Sequence, residues 1–250
     1  MGKKIFTLML LMLLTGCDEE PAIVQSDTPS EDAAQVPEII EQEKGNGEEE
    51  EVDEFIEFVL PKETIMINLK MVPILDSYLT AVDDRQQAIA QMTLLPIQTP
   101  DRQLFLLEFS CHESNSCSYL LLDQTEENRT YLIADLATLV QKTASPDMNK
   151  VLFHFNREES RPALSDIVVI DLNSWEAMTL HNKSNDKDVL NYTWPLLNVE
   201  WTQTDRFTVT VPDIAEPTTA QLKQWENGNK PEEKIEFHLN ETEQQENDTD

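Results

Sequence analysis

The chain has 250 residues and a formal charge of −30, from 48 acidic residues against 18 basic ones. A balance that negative disfavours a nucleic-acid partner, which needs a basic footprint for the phosphate backbone. With only five glycines, Gly-rich phosphate or dinucleotide cradles are excluded as well.

Lys3 and Lys4 precede an apolar run from Ile5 to Leu14, and Leu14-Thr15-Gly16-Cys17 follows. A charged start, a short apolar stretch and small residues before a cysteine make a secretory signal, and the run is too short to span a bilayer. These residues resemble a bacterial lipoprotein signal peptide whose lipobox ends at Cys17. The resemblance implies cleavage after residue 16, acylation of Cys17, and a lipid bilayer as one partner of the mature protein. It places the protein on the extracytoplasmic face of the cell membrane, lipid-anchored in the cell envelope.

Residues 18–54 are rich in Glu, Asp, Gln, Pro and Ser, with Lys44 as their only base and Glu48 to Glu51 as an unbroken acidic run. Such a segment buries too little apolar surface to offset its ordering entropy. It is expected to be a disordered acidic linker, residues 17–54, that holds a folded domain away from the membrane. Residues 240–250 form a second acidic tail with the same expectation. Between them, residues 55–239 are long enough for one domain with a sizeable core.

Within that domain, Ile65, Ile67 and Leu69 alternate like a strand, although Lys62-Glu63 after Pro61 also suits a helix start. Pro73 fits a first helical turn, and Leu75, Tyr78, Leu79, Val82, Ile89 and Met92 recur at helical spacing. One amphipathic helix is expected over 74–93, with room for a kink near Asp83, ended by Leu94-Leu95-Pro96. Beyond Pro100 the period changes to two. Strands are expected at 104–110, 118–123, 130–134, 151–155, 167–172, 177–180, 197–201, 207–211 and 235–239. A short helix capped by Thr218 or Thr219 is expected to run through Trp225 and end at Gly228. The fold class is therefore mainly β, with antiparallel hairpin and meander sheets and one N-terminal amphipathic helix.

Three stretches repeat. Thr99-Pro100-Asp101-Arg102, Ser145-Pro146-Asp147-Met148 and Thr202-Gln203-Thr204-Asp205-Arg206 each precede a strand, with the aspartates 46 and 58 positions apart. Ser145 to Leu180, with Asp166-Ile167-Val168-Val169-Ile170-Asp171-Leu172 inside it, resembles a TolB-type β-propeller repeat, in which a Ser-Pro-Asp-Gly turn feeds a strand. Met148 stands where that family has glycine, and the third copy lacks the Pro-Asp pair. Three units are too few to close a propeller, so the resemblance implies either an incomplete one, edge-capped by the helix that starts at Ile74, or a curved sheet that shares only the hairpin chemistry.

Three cysteines are present. With Cys17 taken by lipid, Cys111 and Cys117 remain as one pair flanking a five-residue hairpin tip, in an oxidising compartment. A structural disulfide is expected, worth only about 2 kcal/mol because the closed loop is short. Metal-binding thiols are the rival reading, but His112 lacks the further ligands of a zinc site.

No nucleophile elbow, zinc-binding helix or phosphate loop occurs. The four histidines, His112, His154, His181 and His238, are scattered, and His154 and His238 are expected on the solvent face of a sheet. Neither catalytic residues nor a cofactor nor a metal are expected, and the protein is read as not an enzyme. Trp201 reads as packing. Trp175, at a hairpin tip after Asn173-Ser174, is either a partner contact or a cover over a neighbouring strand. The function expected is a protein-binding or scaffolding lipoprotein with another envelope protein as partner. A solute-binding lipoprotein of a transport system is the alternative.

Overall fold

A computed structural model describes residues 23–26, 36–43, 52–100, 102–112, 116–124, 129–157, 162–183 and 187–240. Cys17 and the tail beyond Asn240 lie outside them. The protein is mainly β, built of antiparallel sheets with few helices.

Sheet I comprises β1 (Ile23–Ser26), β2 (Glu38–Glu43), β3 (Val52–Val59) and β4 (Thr64–Asn68), in the order β1-β4-β3-β2. A 3-10 turn at Leu69–Met71 leads to α1 (Pro73–Ala81) and α2 (Arg85–Ala90). Next come β5 (Thr93–Gln98), β6 (Gln103–Phe109), β7 (Cys117–Asp123), β8 (Thr130–Ala144), β9 (Lys150–Arg157), β10 (Leu164–Asp171) and β11 (Glu176–Ala177). These seven form one continuous meander. The last sheet holds β12 (Thr179–Asn182), β13 (Asn198–Gln203), β14 (Arg206–Pro212) and β15 (Glu232–Asn240), in the order β12-β15-β14-β13, with α3 (Thr219–Glu226) before β15.

The meander is two sheets sharing one strand. From Thr130 to Ala137, β8 pairs with β7, and from Thr138 to Ala144 it pairs with β9. Register shifts lie on both sides of the hand-over, and Leu136 adopts φ 50°. Bulges of this kind bend a strand and increase its twist. We call the half from β5 to early β8 sheet II, the half from late β8 to β11 sheet III, and the last sheet IV. The segment 176–182 repeats the device: β11 pairs in sheet III, and after Met178 β12 pairs in sheet IV.

Three apolar cores fill the spaces between successive sheets. Ile56, Ile65 and Ile67 of sheet I meet Phe105, Leu107 and Leu120 of sheet II, with Leu75, Leu79 and Ile89 of the helices. Leu104, Leu106, Tyr119 and Leu121, from the other face of sheet II, meet Val151, Phe153 and Phe155 of sheet III. Leu152, Ile167 and Val169 then meet Phe207, Val209 and Phe237 of sheet IV. Strands β6 and β7 of sheet II and β9 of sheet III are thus buried on both faces, which is why Leu104–Leu107 and Leu120–Leu122 read as unbroken apolar runs. Each such side chain contributes about 1.5–3 kcal/mol by leaving water.

Two expectations are corrected here. The single helix over 74–93 is two helices broken at Val82–Asp84. Asp84 ends the first run by capping the second, its Oδ1 accepting the Gln87 N–H at 2.9 Å. Thr93 already starts β5, and Pro96 is tolerated there because β5 is the edge of its sheet.

The acidic stretch read as disordered also contributes β1, β2 and the start of β3. Ile23 pairs with Ile67 and Ile39 with Ile56, and the first core receives both side chains. Those isolated isoleucines are outweighed in any composition average by their acidic neighbours. Glu38 stands opposite Glu57 and Glu41 opposite Glu54, like charges that weaken a ladder. Arg85 of α2 answers this with a two-pronged ion pair to Glu54, Nη1 donating to Oε1 at 3.2 Å and Nη2 to Oε2. That pair raises the Arg85 pKa, the hydrogen bond Arg85 donates to Glu54 being the largest cause.

Candidate functional sites

The three sequence repeats occupy equivalent places, each forming the first hairpin turn of sheets II, III and IV. In the sharpest of them, buried Ser145 accepts the Lys150 N–H at 3.0 Å through its Oγ and donates to Asp147 Oδ1 at 2.5 Å. Burial works to raise the Asp147 pKa, but the Ser145 hydroxyl, the Asn149 amide and Lys150 outweigh it and lower the pKa. Met148 stands at φ 60°, the left-handed conformation for which glycine is suited. The turn therefore takes a glycine-type backbone path with a methionine in it. Its polar groups satisfy the backbone and are turned inward on the turn itself, so it is an architectural device.

Cys111 and Cys117 are joined at disulfide distance, with Cα atoms 4.1 Å apart. Within the closed loop the His112 N–H donates to Ser116 O at 2.9 Å. Glu108 lies beside the two sulfurs in a metal-like grouping, but thiolates engaged in a disulfide are not ligands.

Trp175 is not at the surface. It is 9% exposed and packs in the core between sheets II and III. Its φ of 59° folds the tip back on itself, and its N–H donates to Asp171 O at 2.8 Å. Asp171 Oδ1 accepts from Asn173 N at 2.7 Å and Ser174 N at 3.0 Å, completing the turn. Trp175 therefore covers a neighbouring strand and is not offered to a partner. The remaining tryptophans are engaged too. Trp201 donates from Nε1 to Thr143 O at 3.2 Å and packs edge-on against Phe207. Trp225 donates to Pro231 O at 2.7 Å, and Trp194 is buried.

A cluster of polar residues at the end of sheet III looks chemical at first sight. Burial raises the pKa of Asp166, and its Oδ1 accepts from Ile167 N at 2.8 Å and Asn191 N at 2.9 Å. Arg157 lies 4.0 Å over the Tyr192 ring. Asn191 and Tyr192 are consecutive residues at φ 57° and 58°. The carboxylate and the guanidinium hold that left-handed pair in place, so the perturbed acid has a structural task.

His154 is 3% exposed, contrary to its expected place on a solvent face. Its neighbours Phe153 and Phe155 face sheet II, which turns His154 towards sheet IV. Burial lowers its pKa to about 4, with a hydrogen bond involving Asn156 acting the other way. His238 does lie on an outer face, its Nε2 2.7 Å from Glu236 Oε1. Sequence reading missed one relationship here: His181 of β12 stands directly opposite His238 of β15. The two are 57 positions apart in the chain, so only strand pairing reveals it.

Clefts are shallow among the described residues. One of about 460 Å³ lies beside α3 among Asp213, Gln221, Gln224, Trp225 and Pro231. Another of about 320 Å³ lies between β2 and α2. Neither gathers a nucleophile with a base. The exposed apolar surface is more distinctive: Leu132, Leu136 and Val140, 41–49% exposed, all belong to β8.

No known protein family matches the chain, and no curated protein matches it. Among solved structures it is similar to the Pyrococcus horikoshii acylaminoacyl peptidase (orthorhombic crystal form), with 22% identity and a TM-score of 0.32. The match covers 51% of this chain and 18% of that one, so the chain spans less than a fifth of that structure's length.

Proposed function

We propose that this protein is a membrane-anchored, extracytoplasmic lipoprotein that binds another envelope protein, and that its four sheets are successive blades of an incomplete β-propeller. The blade reading rests on the equivalent repeat turns and on β8 and the β11–β12 segment, each of which passes from one sheet to the next. The anchoring reading rests on the signal sequence and Cys17. The antiparallel architecture favours a binding module over the two-lobed α/β plan of a solute receptor.

Leu132, Leu136 and Val140 carry the binding reading. Monomeric surfaces scatter large aliphatics singly, whereas β8 exposes three on one strand beside its two bulges. An envelope protein with a complementary apolar strip would cover them, and the bulges keep β8 from simply adding another strand there.

The anchor and the domain are close. Five residues, Asp18 to Ala22, separate Cys17 from β1, a reach of about 20 Å at full extension. The domain would therefore ride near the lipid headgroups, in place of the distant position that a 38-residue free linker would give.

A photo-crosslinking residue at position 136, in cells, tests the binding reading. A discrete adduct that is absent from a probe at Gln203 is the expected result. Leu132→Asp with Val140→Asp, one on each side of the probe, should reduce that adduct more than tenfold, about 1.4 kcal/mol, at unchanged melting temperature. Equal labelling from both positions would refute the β8 surface.

A further inference from the structure

The outer face of sheet IV gathers metal-ligating side chains that the sequence keeps apart. Leu180, Phe237 and Leu239 belong to the core between sheets III and IV. Alternation along the strands then puts His181, Glu236 and His238 on the opposite, outer face. His181 is exposed and His238 partly so. Glu236 and His238 are two apart on β15, and His181 faces His238 across the ladder.

We propose that His181, His238 and Glu236 form a binding site for a divalent transition metal of the zinc class. Side chains opposite each other on paired strands start from Cβ atoms about 5 Å apart. A tetrahedral ion with bonds near 2.0–2.1 Å holds neighbouring donor atoms roughly 3.3 Å apart. His238 Nε2 and Glu236 Oε1, at 2.7 Å, need separate only slightly to admit the ion between them. The His181 ring nitrogens stand outside mutual 4.8 Å reach of these two donors, so the exposed ring must rotate inward from its place opposite His238 to supply the third ligand. Two imidazoles and one carboxylate leave a fourth position for water, and imidazole donors select zinc, copper or nickel over calcium and magnesium.

Two cations border the site and set its competition. Lys183 Nζ lies 3.2 Å from Glu236 Oε1, and Arg206 is the β14 partner of His238. The lysine is 63% exposed, and an exposed ion pair of this kind contributes little. The ion replaces the lysine at the carboxylate.

Because the two histidines are brought together only by folding, the bound metal stabilises the native state and clamps edge strand β12 onto β15. The test uses the full chain, titrated with Zn²⁺ by calorimetry in a tenfold excess of Ca²⁺ that occupies the acidic segments. One equivalent of Zn²⁺ should bind and raise the melting temperature. His181→Ala, an exposed edge-strand substitution that leaves the core intact, should weaken binding more than tenfold, and Glu236→Gln several-fold. Lys183→Ala should tighten it several-fold by removing the competitor, while His112→Ala changes nothing. Cu²⁺ bound at the same site should show two nitrogen ligands by electron paramagnetic resonance. Wild-type affinity in the His181→Ala and His238→Ala variants, or loss of binding in His112→Ala, would overturn the site.

Discussion

Arg102 donates from Nη2 to Asn173 Oδ1 at 2.9 Å, and from Nη1 to the Leu172 carbonyl, across 70 positions of the chain. It thereby fastens the first turn of sheet II to the β10–β11 turn of sheet III. The same guanidinium stands 4.0 Å from Asp123, a carboxylate only 1% exposed. Arg129 adds a second strut, donating to Asn173 O at 3.3 Å.

Arg102→Ala should destabilise the fold by about 2 kcal/mol, because it removes two charge-assisted bonds and a positive neighbour from a buried carboxylate. Arg102→Lys should recover only part of this, since one ammonium cannot reproduce the fork. Urea denaturation of the three proteins measures both differences. A loss within about 0.5 kcal/mol for the alanine variant, the range of ordinary surface changes, would show that the strut is ornamental.

Met148 occupies the left-handed region at φ 60° and is 43% exposed. A non-glycine residue there costs about 1–2 kcal/mol, and the exposed side chain returns little of that by packing. Met148→Gly should therefore stabilise the protein by about 0.5–1 kcal/mol, after the added freedom of glycine in the unfolded chain is counted. A lower melting temperature would mean that the methionine side chain holds the turn.

How far the sequence could be read depended on whether a signal was local. The Ser145–Asp147 turn, the Cys111–Cys117 loop and the strands near 151–155 and 167–172 are written in adjacent residues, and the structure has each of them. The break at Asp84 was harder, because an N-cap inside a helical pattern looks like any polar residue on the outer face. Strands β1 and β2 were hidden because Ile23 and Ile39 acquire meaning only beside Ile67 and Ile56. Partners at that separation are chosen by the whole fold. The same holds for His154, whose strand alternates as if one face were wet, although sheet IV covers that face. His181 and His238 show it most directly, since strand register alone makes them neighbours.

Trp175 offers a sharp separation of core from interface. It is buried against the second core, and its indole Nε1 has no hydrogen-bond partner among the described residues. Trp175→Ala should cost about 3–5 kcal/mol, the usual range for a large aromatic removed from a core. Trp175→Phe should cost much less, because it keeps most of the apolar volume and removes an unsatisfied donor. Thermal unfolding of both variants tests this. If alanine is tolerated within about 1 kcal/mol, the side chain is not packed as described.

His154 makes the stability of the sheet III–sheet IV core depend on pH. Its pKa falls to about 4 in the folded protein because burial penalises the charged ring, against about 6.5 in an unfolded chain. The unfolded state therefore binds the proton more readily. The stabilisation from a neutral His154 is fully present above about pH 6.5 and drains away as the pH falls towards 4. Over that window the loss is roughly 3 kcal/mol, at about 1.4 kcal/mol for each unit of separation. Carboxylates also titrate near the lower end, and this chain has 48 acidic residues, so the wild-type curve alone mixes several effects. Subtracting the curve of His154→Gln, which carries no titratable ring, isolates the histidine. The difference in unfolding free energy between the two proteins should be constant above pH 7 and move against the wild type by about 3 kcal/mol by pH 4. A difference that stays flat across the window would mean that His154 keeps an ordinary pKa, and hence that water reaches it between the two sheets.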